Sequence, residues 1–224
     1  MWAELKKDWA YKDFRFNKIT QPGFRHLFLL LYWPVFLPCF FIVERLSLSR
    51  GYNLIHCALD DVIPFCELFI IPYVIWYPFV ALMILYTVCF DIPAFVKLSK
   101  YLIITLTISI VIYVIFPSGQ NMWPLQFPRD NILTRITGLI YSLDVNTNIC
   151  PSEHVQSAFG VVFAAMKTKR LSAKKWMSFF WIEAILVTFS VAFVKQHSVI
   201  DVIAAVPVIL IGFFTSFYER KKTG

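Results

Sequence analysis

Residues 68–90 read LFIIPYVIWYPFVALMILYTVCF, a run of 23 residues without a charged side chain. About 20 consecutive apolar residues are enough to cross the hydrocarbon core of a bilayer as one helix. Pro72 and Pro78 predict kinks in that helix, which membrane bundles tolerate because neighbouring helices satisfy the freed backbone groups. This stretch therefore predicts a transmembrane helix and a helical membrane fold.

The rest of the chain repeats this apolar pattern. Of its 224 residues, 58% are hydrophobic and only 16% are charged, and the mean hydropathy is +0.66. A soluble domain of this size would carry far more charge. We predict an all-α integral membrane protein, with a six-helix bundle formed by residues 27–224. The six predicted spans are residues 27–43, 68–90, 101–116, 154–166, 176–194 and 198–218, of which the fourth is short.

Residues 1–26 form a separate N-terminal segment, which lacks the early apolar core of a signal peptide. Trp2, Leu5 and Trp9 recur at helical spacing with lysines between them. This pattern predicts an interfacial amphipathic helix that lies on the cytoplasmic surface of the bilayer. A frayed basic tail is the alternative interpretation.

Lysines and arginines are concentrated in alternate loops. The N-terminal segment, the second and fourth loops and the C-terminal tail together hold 16 of the 21. Because cytoplasmic loops are enriched in these residues, we predict a multi-pass protein of the cell membrane with both termini in the cytoplasm. The net charge of +7 is then explained by loops beside anionic lipid. The basic residues form no single patch, which indicates no nucleic-acid partner.

The predicted topology places two histidines on the extracytoplasmic side. His197 opens the sixth span in the run KQHSVID, residues 195–201, and Asp201 follows it by four positions. Residues at this spacing share one helix face, so the carboxylate can hold one ring nitrogen and leave the other free as a nucleophile or base. A buried polar pair that only joins helices is the structural alternative.

The other histidine, His154, lies at the start of the fourth span in the run NICPSEH, residues 148–154. Pro151 and Ser152 are typical helix-start residues. Ser152 and Glu153 would then border a helix N-terminus, whose free N–H groups bind phosphate. His154 can reach the same anion and donate a proton to a leaving oxygen. An ordinary capped helix with an interfacial histidine is the alternative.

These runs resemble motifs of the type 2 phosphatidic acid phosphatase superfamily, which also includes vanadium haloperoxidases and sphingolipid synthases. Residues 151–154 resemble its Pro-Ser-Gly-His motif. Ser190, His197 and Asp201 match the spacing of its motif Ser-Arg, five residues, His, three residues, Asp. The resemblance covers residues 117–205. It implies a six-helix membrane core, a lipid phosphate substrate, and a reaction that needs no metal and no cofactor.

The resemblance also implies a role for each matching residue. His197 would attack phosphorus and become a phosphohistidine. Asp201 would orient and polarise the His197 ring, and His154 would protonate the leaving group.

Four positions depart from the family pattern. Trp123 and Phe116 stand in the arginine and lysine slots of the family's first motif, and Val191 stands in the arginine slot of its last motif. Three phosphate-binding cations are therefore missing from their expected places. Glu153 stands where the family has glycine, and it adds negative charge beside the phosphate site.

The transition state of phosphoryl transfer spreads negative charge over oxygen, so the site needs replacement donors. Lys195 is two residues from His197 and is the first candidate. Arg129 and Arg135 lie in the third loop with Gln120 and Asn121, whose amides can donate hydrogen bonds. The alternative for the arginines is headgroup contact or a salt bridge with Asp130.

The leading hypothesis is a lipid phosphate phosphatase, a hydrolase of phosphoric esters or diphosphates that acts on the extracytoplasmic side. A lipid phosphotransferase with a lipid or sugar alcohol as acceptor is the alternative, since both reactions share the phosphohistidine step. A non-catalytic member of the fold is a second alternative. A metal site formed by His154, Glu153, His197 and Asp201 is less favoured. The sequence does not indicate whether the chain forms oligomers.

Overall fold

The computed structural model describes residue 11 and residues 19–219, most of which are helical. The predicted amphipathic helix falls mainly on residues 1–10 and 12–18, which lie outside the described residues. Within the described residues there are eight α-helices and two short strands. The helices are α1 Tyr32–Arg50, α2 Ala58–Val62, α3 Ile70–Phe90, α4 Ile92–Ile115, α5 Ile132–Leu143, α6 Glu153–Lys167, α7 Lys174–Phe193 and α8 Val199–Ser216. The strands β1 Asn53–Leu54 and β2 Ser118–Gly119 pair in parallel.

Short 3₁₀ helices lead directly into α1 and α3. Counted with these leads, five helices of the described chain are long and apolar enough to cross a membrane. These are Arg25–Arg50, Glu67–Phe90, Ile92–Ile115, Lys174–Phe193 and Val199–Ser216. They correspond to the first, second, third, fifth and sixth predicted spans, so the structure confirms a helical protein with five apolar helices of spanning length. Helix α6, which matches the fourth predicted span, has 15 residues and is shorter than the roughly 20 that a full crossing needs.

Helix α4 begins at Ile92, nine residues before the start of the third predicted span at residue 101. Lys97 and Lys100 interrupt the apolar run in the sequence, and the helix continues through both. Asp91 starts the helix, since its side chain accepts the Ala94 N–H at 3.2 Å and satisfies one of the unpaired donors of the first turn.

Helix α6 is the central helix of the bundle and packs against α3, α4, α7 and α8. Tyr101 of α4 lies between Gly160 of α6 and Gly212 of α8. A Cβ atom on either glycine would come within 2.6 or 2.7 Å of the Tyr101 ring. Small residues at such contacts let membrane helices approach closely, so this short helix is enclosed by longer ones.

One end of the bundle carries the candidate site and is called here the histidine end. Helices α1, α4 and α7 finish at this end, and α3, α6 and α8 begin there. The segment 144–152 is fastened to its neighbours by Asn148, whose N–H donates to the Ser118 carbonyl at 2.7 Å and whose Oδ1 accepts from Ser47 of α1 at 2.8 Å. The Ser152 N–H donates to the Asp201 carbonyl at 3.1 Å, which joins the start of α6 to α8.

Candidate active site

His154 and His197 come together at the histidine end, although they lie 43 positions apart in the sequence. His197 Nε2 is 3.3 Å from His154 Nδ1, and the two ring planes meet at 69°. His154 lies in the first turn of α6 and His197 in the turn before α8, so two helix starts supply the pair. His197 is only 7% exposed. The structure therefore brings the two predicted histidines into direct contact.

The ring of His197 is held by a main-chain carbonyl. Its Nδ1 lies 2.9 Å from the Ile149 carbonyl oxygen and 3.4 Å from Asp201 Oδ2. Because a carbonyl oxygen only accepts hydrogen bonds, Nδ1 carries the proton, and Nε2 of the neutral ring keeps its lone pair. Asp201 Oδ2 also accepts the Ser198 N–H at 2.9 Å. The lone pair of His197 thus faces His154, with Asp201 as the more distant of two partners on the other side of the ring.

His154 is packed in an aromatic wall from α3. Its ring centroid is 4.2 Å from that of Trp76 and 4.8 Å from that of Tyr73. Trp76 is fixed in turn, since its Nε1 donates to Ser157 Oγ at 2.8 Å. The Nε2 atom of His154 is buried and has no hydrogen-bond partner among the described residues. The packing fixes the plane of His154 and turns its Nδ1 towards His197.

Ser152 and Glu153 lie at the start of α6, as the sequence predicts. Ser152 is fully buried, but its side chain makes no capping hydrogen bond, and its Oγ has no partner among the described residues. Glu153 faces the same space as the histidines. The first N–H groups of a helix have no partner within it, so this end of α6 presents free donors beside the histidine pair.

The three predicted replacement cations lie away from the histidine pair. The Lys195 ammonium donates to the carbonyl oxygens of Asp60, at 2.7 Å, and Ile63. Arg129 pairs with Glu67 at 2.8 Å, and Arg135 pairs with Asp130 at 3.0 Å, which is the salt bridge that the sequence allowed. All three cations therefore bind other groups of the protein. The sequence did not predict this, because closeness in sequence does not fix the direction of a long side chain.

Two predicted amide donors in the third loop are also displaced from the site. Gln120 is buried and its Oε1 accepts the Met122 N–H, while Asn121 is exposed. Trp123, which stands in the arginine slot, stacks on Tyr141 with ring centroids 4.4 Å apart. The cavity described next is not lined by Gln120, Asn121, Trp123 or Tyr141.

The histidine pair lies at one end of a cavity of about 850 Å³. Helices α1, α3, α4 and α5 supply walls that are mostly apolar, with Trp33, Phe40 and Trp76 among them. Polar side chains cluster at the histidine end, where Asp144, Asn148, Glu153 and Gln196 contribute. Within the described part of the chain, no Lys or Arg lines this cavity. Its form suits a ligand with an apolar tail and a polar head that reaches the histidines.

Asp144 and Cys150 are two neighbours of the pair that the sequence did not single out. Burial raises the pKa of Asp144, although the Val145 N–H and the His197 ring act in the opposite direction. Burial and the nearby Asp201 carboxylate raise the pKa of the Cys150 thiol to about 12. Cys150 is therefore a thiol at neutral pH and not a competing nucleophile. Neither residue has a motif spacing that would have marked it.

The residues of the less favoured metal hypothesis lie near one another but do not form a metal-binding arrangement. Among residue 11 and residues 19–219, no three His, Cys, Asp or Glu side chains are arranged to hold a metal ion.

Comparison of the chain with protein-family models, with curated proteins and with solved structures found no match.

Proposed function

We propose that this protein is a membrane hydrolase that cleaves the phosphoester of a lipid through a phosphohistidine on His197. The observation that carries the proposal is the contact between His197 Nε2 and His154 Nδ1, 3.3 Å apart, at the polar end of an otherwise apolar cavity. A nucleophile within hydrogen-bond reach of an acid–base group, whose ring a third group orients, is typical of covalent catalysis. The motif resemblance assigns the same two histidines to phosphoryl transfer.

The proposed first step makes the phosphohistidine. The Nε2 lone pair of His197 attacks phosphorus, and the bond from phosphorus to the lipid oxygen breaks. Beside the bound phosphate anion, His154 acts as the imidazolium. Its Nδ1 proton passes to the leaving oxygen, so that the ring becomes neutral and the lipid departs as a neutral alcohol. The two rings must separate to admit the phosphoryl group between them. The Ile149 carbonyl holds the His197 ring during attack and stabilises the charge that Nδ1 gains.

The second step restores the enzyme. Water attacks phosphorus, its proton passes to His154, and the bond from His197 to phosphorus breaks. The N–H groups at the start of α6 face the phosphoryl oxygens and stabilise their negative charge. The described cavity wall offers no Lys or Arg for this purpose, so the helix terminus and the protonated His154 supply the positive potential.

The proposal includes the arrangement of the chain in the bilayer. We propose that α6 is the fourth, short membrane segment of a six-segment bundle, enclosed by α3, α4, α7 and α8. The loop charges support an arrangement with both termini in the cytoplasm and the histidine end on the other side. The cavity wall formed by Leu37, Phe41 and Tyr77 is exposed on the bundle surface. A lipid substrate would therefore approach from the bilayer.

The test is an assay of the purified protein in detergent. Phosphatidate, lysophosphatidate, phosphatidylglycerol phosphate, polyprenyl diphosphate and phosphatidylethanolamine are incubated with wild-type protein and with His197→Ala in the presence of a chelator. We expect turnover of at least one of these lipids, unaffected by the chelator and abolished by the substitution. An activity that survives His197→Ala would overturn the proposal. Wild-type protein that turns over no lipid phosphoester in the panel would instead support a non-catalytic protein of this fold.

A lipid phosphotransferase is the second candidate. The observation that favours it is the low exposure of His197, 7%, beside a cavity whose walls are mostly apolar. Such a site admits a lipid alcohol as well as water as the acceptor. In the same assay, added diacylglycerol or ceramide would divert the phosphoryl group into a new lipid if this candidate is correct, and would leave hydrolysis unchanged if it is not.

A further inference from the structure

The turn that carries His197 is attached on both sides to a distant segment of the chain. That segment, residues 57–66, lies between α1 and α3 and contains α2; it is called here the clamp segment. On the near side of His197, the Cys66 N–H donates to the Phe193 carbonyl at 3.1 Å. On the far side, the Asp60 carboxylate accepts hydrogen bonds from the start of α8. The clamp segment thus contacts the turn before and after the nucleophile.

Asp60 is saturated with hydrogen bonds. Its Oδ2 accepts from Ser198 Oγ at 2.6 Å and from the Cys57 N–H at 2.8 Å, and its Oδ1 accepts from the Val199 N–H at 2.9 Å. Asp60 is 4% exposed and Ser198 is fully buried. A carboxylate at a helix N-terminus satisfies unpaired donors and complements the helix dipole. Asp60 therefore acts as a cap for α8 that comes from another part of the chain.

Lys195 makes a further contact between the His197 turn and the clamp segment. Its Nζ donates to the carbonyls of Asp60, at 2.7 Å, and Ile63, at the C-terminal end of α2. A cation at that end pairs with carbonyls that have no partner within the helix. The backbone of Lys195 has a φ of +57°, in the left-handed region that residues with a Cβ atom adopt uncommonly. The two contacts thus fix a turn whose backbone is unfavourable by itself.

We propose that Asp60 and Lys195 are positioning residues, which use the clamp segment to hold the His197 turn so that Nε2 faces His154. This inference rests on the proposed function for its catalytic consequence. The attachment itself is a property of the fold and is testable without turnover. It also assigns Lys195 a task different from phosphate binding, since its ammonium is committed to two carbonyl oxygens.

The catalytic consequence follows from distance. His197 moves with its turn, and a displacement of about 1 Å at a reacting group can cost about 100-fold in rate. Loss of the clamp should therefore slow the chemical step and leave the apolar binding of the lipid tail unchanged. A residue that bound the substrate would instead show its effect in KM.

The test uses four substitutions in the full chain and one control. Asp60→Asn puts an amide N–H₂ against hydrogen-bond donors, and Asp60→Glu keeps the carboxylate on a longer side chain. Lys195→Met removes the ammonium at similar length, and Lys195→Arg keeps a donor. Asp61→Asn is the matched control, because Asp61 is exposed and, among the described residues, it hydrogen-bonds to His56 and makes no hydrogen bond to the His197 turn.

The first readout is hydrogen exchange of residues 194–201, measured by mass spectrometry in detergent. We expect exchange at least 10-fold faster in Asp60→Asn and Lys195→Met, with wild-type rates in the control. The second readout is turnover of the best lipid substrate. We expect kcat at least 10-fold lower with KM within twofold for these two variants, and partial recovery in Asp60→Glu and Lys195→Arg.

Each outcome bears on a distinct claim. Unchanged exchange in Asp60→Asn and Lys195→Met would overturn the attachment, whether or not the protein has activity. Faster exchange with unchanged kcat, or a raised KM with unchanged kcat, would overturn the positioning role. Wild-type protein that turns over no lipid would refute the proposed function, and the exchange rates would still decide whether Asp60 and Lys195 hold the turn.

Discussion

At the scale of single residues, the site depends on which atom holds the His197 ring. The four-residue spacing of His197 and Asp201 was visible in the sequence, and the structure places their side chains 3.4 Å apart. The shorter contact, to the Ile149 carbonyl at 2.9 Å, was not predictable. It joins residues 48 positions apart through a main-chain atom, which every residue type possesses.

His154 should matter most when the leaving group is a poor one. We expect His154→Ala to lower kcat for a lipid alkyl ester by about 100-fold or more, in the range typical of general acid catalysis. A p-nitrophenyl ester leaves without protonation, so its turnover should fall by less than tenfold. Steady-state kinetics with the two ester classes measure this difference. Equal losses for both would show that His154 does not protonate the leaving group.

The attachment of the clamp segment to the start of α8 depends on the charge of the Asp60 carboxyl group, so acid should weaken it. Burial alone would raise its pKa, but hydrogen bonds from Ser198, Val199 and Cys57 together lower it below the usual value. A carboxyl with a depressed pKa in the folded protein stabilises the fold above its unfolded pKa, and that contribution is lost as pH falls through the folded value.

Above about pH 5 Asp60 stays ionised, so we expect the protection of residues 194–201 from hydrogen exchange to be constant. Below about pH 4 we expect that protection to weaken. The comparison is made after correction for the intrinsic pH dependence of exchange. In Asp60→Asn the acid-dependent part should disappear. An identical acid dependence in the variant would assign it to another carboxyl group.

At the scale of elements, the sequence predicted the existence of five long apolar helices, because each is an apolar run with few charges, but it placed the start of α4 nine residues too late. It was less informative about α6, whose 15 residues include small and polar side chains that pack inside the bundle. The direction of Lys195 was missed for a related reason. Its partners belong to the clamp segment, more than 130 positions away, and no local pattern indicates them.

The close contact of α4 with α6 predicts intolerance of added volume at Gly160. A Cβ atom there would lie 2.6 Å from the Tyr101 ring, and overpacking of this kind costs about 1–3 kcal/mol. We expect Gly160→Ala to lower the midpoint of thermal unfolding in detergent. Gly23→Ala is the control, since no atom of the described residues outside its chain neighbours lies within 4 Å of the added atom. An unchanged midpoint in Gly160→Ala would show that the helices separate easily at this contact.

At the scale of the whole molecule, the charge of the cavity predicts substrate preference. Asp144 and Glu153 line it, and no Lys or Arg does so within the described residues. A phosphate monoester with two negative charges finds no Lys or Arg there, whereas a zwitterionic phosphodiester brings its own ammonium group. The family resemblance led to the expectation of a phosphate monoester or diphosphate, whereas the lining of the cavity leads us to expect a different headgroup.

We expect kcat/KM for phosphatidylethanolamine to exceed that for phosphatidate with the same acyl chains by at least 10-fold, or about 1.4 kcal/mol. Glu153→Gln should reduce this ratio, because it removes a carboxylate and keeps the size of the side chain. Competition between the two lipids in one detergent micelle provides the measurement. A preference for phosphatidate would indicate that the buried carboxyl groups are protonated and donate hydrogen bonds to the phosphoryl oxygens.

If His197 forms a covalent bond to phosphorus beside His154, the phosphohistidine can be trapped and identified. Wild-type protein and His197→Ala are mixed with an excess of the preferred lipid, quenched in alkali, in which phosphohistidine is stable, and digested for mass spectrometry. We predict a phosphoryl-derived adduct on His197 in the wild-type protein, greater yield in a His154→Ala variant given a p-nitrophenyl ester, and none in His197→Ala. Turnover of lipid phosphoester without any adduct on His197, or an adduct on another residue, would contradict the account.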